Sequence, residues 1–147
     1  MAKPRINSNY MKVKTPISVG ELVDKLTILE IKMQMISDFK KIKDVTTEYQ
    51  QLKKLYEISL INNKEFQDLD LVKLISLKAD LFEVNRSLWI IEDSIREMER
   101  KKDFGAEFIR LARDVYYAND MRFSFKNEIN ILSNSEIKEV KSYESYS

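Results

Sequence analysis

Cysteine and histidine are both missing from this 147-residue chain, and glycine and proline occur only twice each. Without cysteine there is no disulfide framework and no thiolate nucleophile, and without histidine there is no imidazole base near neutral pH. The two absences together remove soft-metal sites. Two glycines and two prolines leave little turn chemistry for an all-β fold. No apolar run approaches the roughly 20 residues of a membrane-spanning helix, and Lys3 and Arg5 are followed by no apolar stretch of the secretory kind. Charge of one sign is lacking too: 25 basic and 24 acidic residues leave a formal net charge of +1. That balance supplies no long-range field toward nucleic acid or an anionic membrane. The expectation is a cytoplasmic protein that partners neither.

What the chain has instead is helical material, with 44% hydrophobic and 33% charged residues. Leu74, Leu77, Leu81, Val84, Leu88, Ile91, Ile95 and Met98 recur at alternating steps of three and four. No glycine or proline stands between Glu21 and Phe104, so these eight share one stripe of a single long helix, placed at about Leu69 to Lys101. At 1.5 Å per residue it is about 45–50 Å long, more than a compact monomer of this size needs, which favours an elongated bundle and a helical homodimer interface.

Three further helices complete the reading. Ser18, Val19, Gly20 and Glu21 form a capping-box sequence that opens a first helix, whose apolar residues Leu22, Leu26, Leu29, Met33 and Ile36, with Ile28, Ile31 and Met35, call for cover on two sides. Asp44 or Thr46 caps a second helix carrying Val45, Tyr49, Leu52 and Tyr56, with Asn62 and Asn63 as the turn after it. Asp103, Phe104 and Gly105 separate the long helix from a fourth, which carries Phe108, Leu111, Val115, Ala118, Arg122, Phe125, Ile129 and Leu132 and stops at Ser133 to Ser135. The expected fold is all-α: an elongated antiparallel bundle of about four main helices in one domain over 1–147, with an N-terminal arm (1–15) and a polar tail (136–147). Alternation in Met11, Val13 and Thr15 allows the arm to pair with the tail as two short strands.

The polar residues set into the apolar stripes are the candidate site. Arg122 lies on both apolar lines of the fourth helix, Asn119 and Lys126 lie beside it, Asn85, Glu92 and Arg96 interrupt the third helix, and Glu30 interrupts the first. A shielded guanidinium needs a carboxylate, and Glu92 and Glu30 are the expected partners of Arg122. The set reads either as an internal network that fixes helix register or as a pocket in which Arg122 and Lys126 hold a small carboxylate or phosphate. Trp89, the single tryptophan, reads as a core or interface anchor. Hard metal ligands are limited to Glu21 with Asp24 and Glu92 with Asp93, an arrangement that resembles the paired acids of the all-α nucleotide pyrophosphohydrolases and would hold Mg²⁺ only if this were an enzyme of that or a mutase type.

Four blocks carry a resemblance: SVGELVDKLTILEIK from Ser18 to Lys32, NRSLWIIEDSIR from Asn85 to Arg96, LARDVYYANDMR from Leu111 to Arg122, and VKSY from Val140 to Tyr143. In combination the chain resembles, from about Ile17 to Tyr143, a family of short helical proteins of bacterial or phage type known only as a domain of unknown function. The resemblance implies a soluble helical protein, and it implies no activity and no catalytic residues. The leading functional expectation is therefore a non-catalytic interaction or adaptor protein acting as an oligomer without a cofactor, with a small-anion-binding or Mg²⁺-dependent enzyme as the alternative.

Overall fold

The structure, a computed structural model, describes residues 10–146 and is all-α, with four helices among them: α1 (Val19–Met35), α2 (Phe39–Tyr56), α3 (Asp68–Arg100) and α4 (Ala106–Leu132). A π-helical turn, Glu57–Ile61, extends α2 toward Asn62. The Ser18 hydroxyl accepts from the Glu21 amide at 3.0 Å and opens α1. Glu21 turns its own carboxylate to Lys126. α2 begins earlier than expected: Asp38 accepts from the Lys41 amide at 3.0 Å, so Asp44 and Thr46 lie inside the helix rather than at its cap. Asp38 wins because Ile36 to Asp38 already leave the helical conformation, which puts the first available side-chain acceptor at 38.

α3 and α4 pack together as a hairpin about the short connection from Lys101 to Gly105, and α1 packs against α2, α3 and α4. α1 is the central element. Its Leu22, Val23, Leu26, Leu29 and Ile31 are buried, and several of them share one core with Leu74, Leu81 and Val84 of α3 and Ala118 and Ile129 of α4. The eight-residue stripe of α3 is buried at Leu74, Leu81 and Val84; toward the C-terminal end of the helix, Leu88, Ile91, Ile95 and Met98 are half-buried. Asn134, in the left-handed conformation that asparagine tolerates, terminates the segment after α4.

The two-stranded pairing of arm and tail does not occur: no strand is present among the described residues. Met11 and Val13 are exposed, and the tail instead uses side chains against α4. A lone two-stranded pairing is marginal in water, whereas α4 offers the tail charged and aromatic partners. Residues 1–9 of the expected arm lie outside the described residues.

Gly20 sets the separation of α1 and α4. Its amide donates to Asn130 Oδ1 at 2.7 Å, and a β-carbon there would press into the Lys126 carbonyl and come within 2.9 Å of Asn130 Oδ1. Gly20→Ala must therefore push the two helices apart, and it is expected to lower stability by about 1–3 kcal/mol in urea unfolding followed by circular dichroism.

Candidate functional site

α1 presents Gly20, Asp24, Thr27 and Ile31 at steps of four, three and four, a line that is small and polar at its start and fully buried. Asp24 has no exposure at all and meets charge for charge: Arg122 of α4 donates from Nε to Oδ1 at 2.9 Å and from Nη2 to Oδ2 at 2.6 Å. Asn85 of α3 donates from Nδ2 to the same Oδ1 at 2.9 Å and to Thr27 Oγ1 at 3.0 Å, and the Thr27 hydroxyl donates to the Asp24 carbonyl at 2.7 Å. Three helices are thus joined at one carboxylate. The hydrogen bonds to Asp24 raise the Arg122 pKa further, against the opposing effect of burial.

Lys126, one turn along α4, is buried and lies 3.0 Å from Glu21 Oε2 and 2.7 Å from Glu139 Oε2 of the tail. Burial alone would lower its pKa, but the bonds to Glu139 and Glu21 outweigh it and the net shift is upward. Further along the tail, Lys141 donates to the Asn119 carbonyl at 3.3 Å. Tyr146 then donates to Asp120 at 2.7 Å and packs its ring against Tyr116 and Tyr117. The bond to Asp120 pushes the Tyr146 pKa up to about 12.

The structure redistributes the expected partners. Arg122 pairs with Asp24, not with Glu92 or Glu30. Glu30 binds Lys78 at 2.8 Å, and Glu92 makes an exposed contact of 3.7 Å with Arg96 on its own helix. The geometry thus joins Asn85 and Arg122, sets Lys126 beside them in a separate cluster, and leaves Glu30 elsewhere. The four carboxylates of the metal expectation do not converge, because Glu21 serves Lys126 and Asp24 is enclosed by Arg122 and Asn85. Among the described residues no group of three or more acidic, histidine or cysteine side chains is placed to hold a metal ion. Asp24 appeared in the sequence only as a metal candidate; its real signal was a charge on a helix that has apolar residues on both sides.

Beyond this network, α1, α3 and α4 enclose a cleft of about 480 Å³. Asn85, Asn119 and Arg122 line it, Trp89, Leu88 and Ile31 give it apolar surface, and Glu92, Asp93 and Arg96 extend along it. Trp89 is half-buried here and outside the main core, so it is a cleft wall rather than a core anchor.

Fold and site together define an all-α bundle whose first helix is pinned to a long hairpin by a buried ion pair. Residues 11–146 match the family described as "Family of unknown function (DUF6165)", and the chain belongs to that family. No curated protein and no solved structure matches the chain.

Removing one partner of the central pair strands the other. Asp24→Ala is expected to cost about 3–5 kcal/mol in urea unfolding. Adding Arg122→Met should recover part of that loss, whereas Glu92→Gln should change stability by less than about 0.5 kcal/mol. The tail contacts carry their own pH signature. Lys126 and Tyr146 both have folded pKa values above their unfolded ones, so their bonds stabilise fully at neutral pH and are lost as pH rises beyond about 10. Tyrosine absorbance during an alkaline titration should include a component near pH 12 from Tyr146, beside Tyr56, whose pKa burial also raises, and Asp120→Asn should bring the Tyr146 component alone back toward the ordinary range.

Proposed function

We propose that the protein is a non-catalytic interaction protein that acts as a cytoplasmic homodimer, with α3 forming the contact between copies. The observation that supports this reading is a set of exposed apolar residues on α3, away from the core. At about 100° per residue, Leu69, Val72 and Ile90 fall with Ser76, Glu83, Ser87 and Ser94 within a sector of about 60° opposite the Leu74–Leu81 seam. Leu69, Val72 and Ile90 are 64%, 63% and 49% exposed, far more than an internal helix face would leave. Exposed apolar residues on a helix face mark interaction surfaces, and the serines between Val72 and Ile90 let a second helix approach closely on either side of Glu83. A copy of the same chain is the occupant of choice, since a net charge of +1 opposes self-association little and two-fold dimers dominate soluble oligomers. No helix among the described residues is long and apolar enough to cross a membrane.

Light scattering after gel filtration should give twice the 17.5 kDa chain mass at high micromolar concentration. Val72→Glu with Ile90→Glu should give a folded monomer with unchanged helical circular dichroism. A wild-type chain that remains at 17.5 kDa under these conditions would refute the reading.

A further inference from the structure

The cleft beneath Trp89 is not needed for self-association, since it opens on the side of α3 that faces α1. Its chemistry is unusually mixed. The charged residues along it cancel, with Arg96 and Arg122 against Glu92 and Asp93, and Asp24 lies directly behind the Arg122 guanidinium. Of the other cations near Arg122, Lys126 is held by two carboxylates, and neither it nor Lys141 lines the cleft. An anion would find little net attraction there.

The polar groups left over are of both kinds. Asn85 is 5% exposed and spends both amide hydrogens on Asp24 and Thr27, so its Oδ1 remains as an acceptor with no partner among the described residues. That oxygen is not sealed off, and Asn85 lines the cleft. Asn119 engages the tail through its backbone carbonyl alone, which leaves its side-chain amide as both donor and acceptor. Arg122 has Nε and one Nη2 hydrogen committed to Asp24, a bidentate grip that fixes the plane of the guanidinium and leaves the Nη1 hydrogens free. Asp93 adds a carboxylate without a partner among the described residues. A carboxylate or phosphate ligand would satisfy the donors and be opposed by Asn85 Oδ1 and Asp93. A hydroxyl group donates and accepts at once, and neighbouring hydroxyls on a ring match planar amide, carboxylate and guanidinium groups two at a time.

The remaining wall is apolar: the Trp89 indole with Leu88 and Ile31. A pyranose ring has that same duality, with polar hydroxyls at its edge and a face of C–H groups that packs on an aromatic ring. A cleft of about 480 Å³ lies in the range of small-ligand sites and is ample for such a ring. We infer that this cleft binds a neutral sugar ring, with the C–H face on Trp89 and adjacent hydroxyls hydrogen-bonded to Asn85 Oδ1, Asn119 and the free edge of Arg122.

Trp89 is the only tryptophan, so fluorescence excited selectively at tryptophan, at wavelengths where the tyrosines do not absorb, reports on this cleft. The full-length chain is titrated to tens of millimolar with glucose, galactose, mannose and N-acetylglucosamine and with their methyl glycosides, with sodium acetate, sodium phosphate and adenosine as controls. A saturable change with at least one sugar or glycoside, confirmed by saturation-transfer NMR, is the expected result. A response confined to methyl glycosides would mark a ring bound as the end of a longer glycan, and a response to free sugars a ring bound alone. Asn119→Ala, which removes no protein contact of that side chain, should keep the melting temperature and weaken the response at least tenfold. The inference is overturned if no sugar responds, if only acetate, phosphate or adenosine responds, or if Asn119→Ala binds as wild type does. None of these outcomes bears on the oligomeric state.

Discussion

A carboxylate with no access to water holds this bundle in register. Asp24 would be severely destabilising alone, since an isolated buried ion costs several kcal/mol, and both of its oxygens are therefore answered from other elements, by three donors in all. Arg122 supplies two donors from α4 and Asn85 one from α3, while Thr27 bridges Asn85 back to the α1 backbone. Sliding α1 by one turn along the hairpin would break every bond of this set that runs between helices at once. The apolar seam alone would tolerate such a slip, because Leu and Ile pack acceptably in many registers; the ion pair does not.

The same logic repeats on either side of Asp24. Gly20 lets α1 approach α4 until its amide reaches Asn130, and Lys126 gathers Glu21 of α1 and Glu139 of the tail. The result is a polar spine along the α1–α4 contact that also secures the tail, with the apolar core beside it. One consequence is that the charges nearest the centre are spent on the fold. What remains available to a ligand is the side of Arg122 and Asn85 turned away from Asp24, and this is why the cleft combines fixed geometry with little net charge.

The family has no described activity, so the surfaces themselves must carry the functional argument. Two are distinct: a face of α3 with exposed Leu69, Val72 and Ile90 on the far side from its core seam, and a mixed cleft on the side that faces α1. Their separation means that association of copies and occupation of the cleft can occur together, and a dimer would carry two such clefts.

Periodicity alone was enough to establish the all-α class, the length of α3, the hairpin about Phe104 and Gly105, and the centrality of α1, because burying an apolar stripe is a local requirement that repeats every three to four residues. It also singled out Arg122 as the charge hardest to place in solvent. What it could not assign was the partner. Glu92 lies on an apolar line of α3 yet ends at the surface with Arg96, and Glu30 reaches Lys78, while Asp24, placed among metal candidates, takes the guanidinium. Which acid meets Arg122 depends on how α1 crosses the hairpin. Crossing is decided by how closely Gly20 allows α1 to approach α4 and by the shape of the packed core, both properties of the assembled helices rather than of any one of them. The tail follows the same rule: its alternation suggested a strand, but a strand needs a neighbour with a row of free backbone groups, and the folded bundle offered it chiefly the side chains of α4.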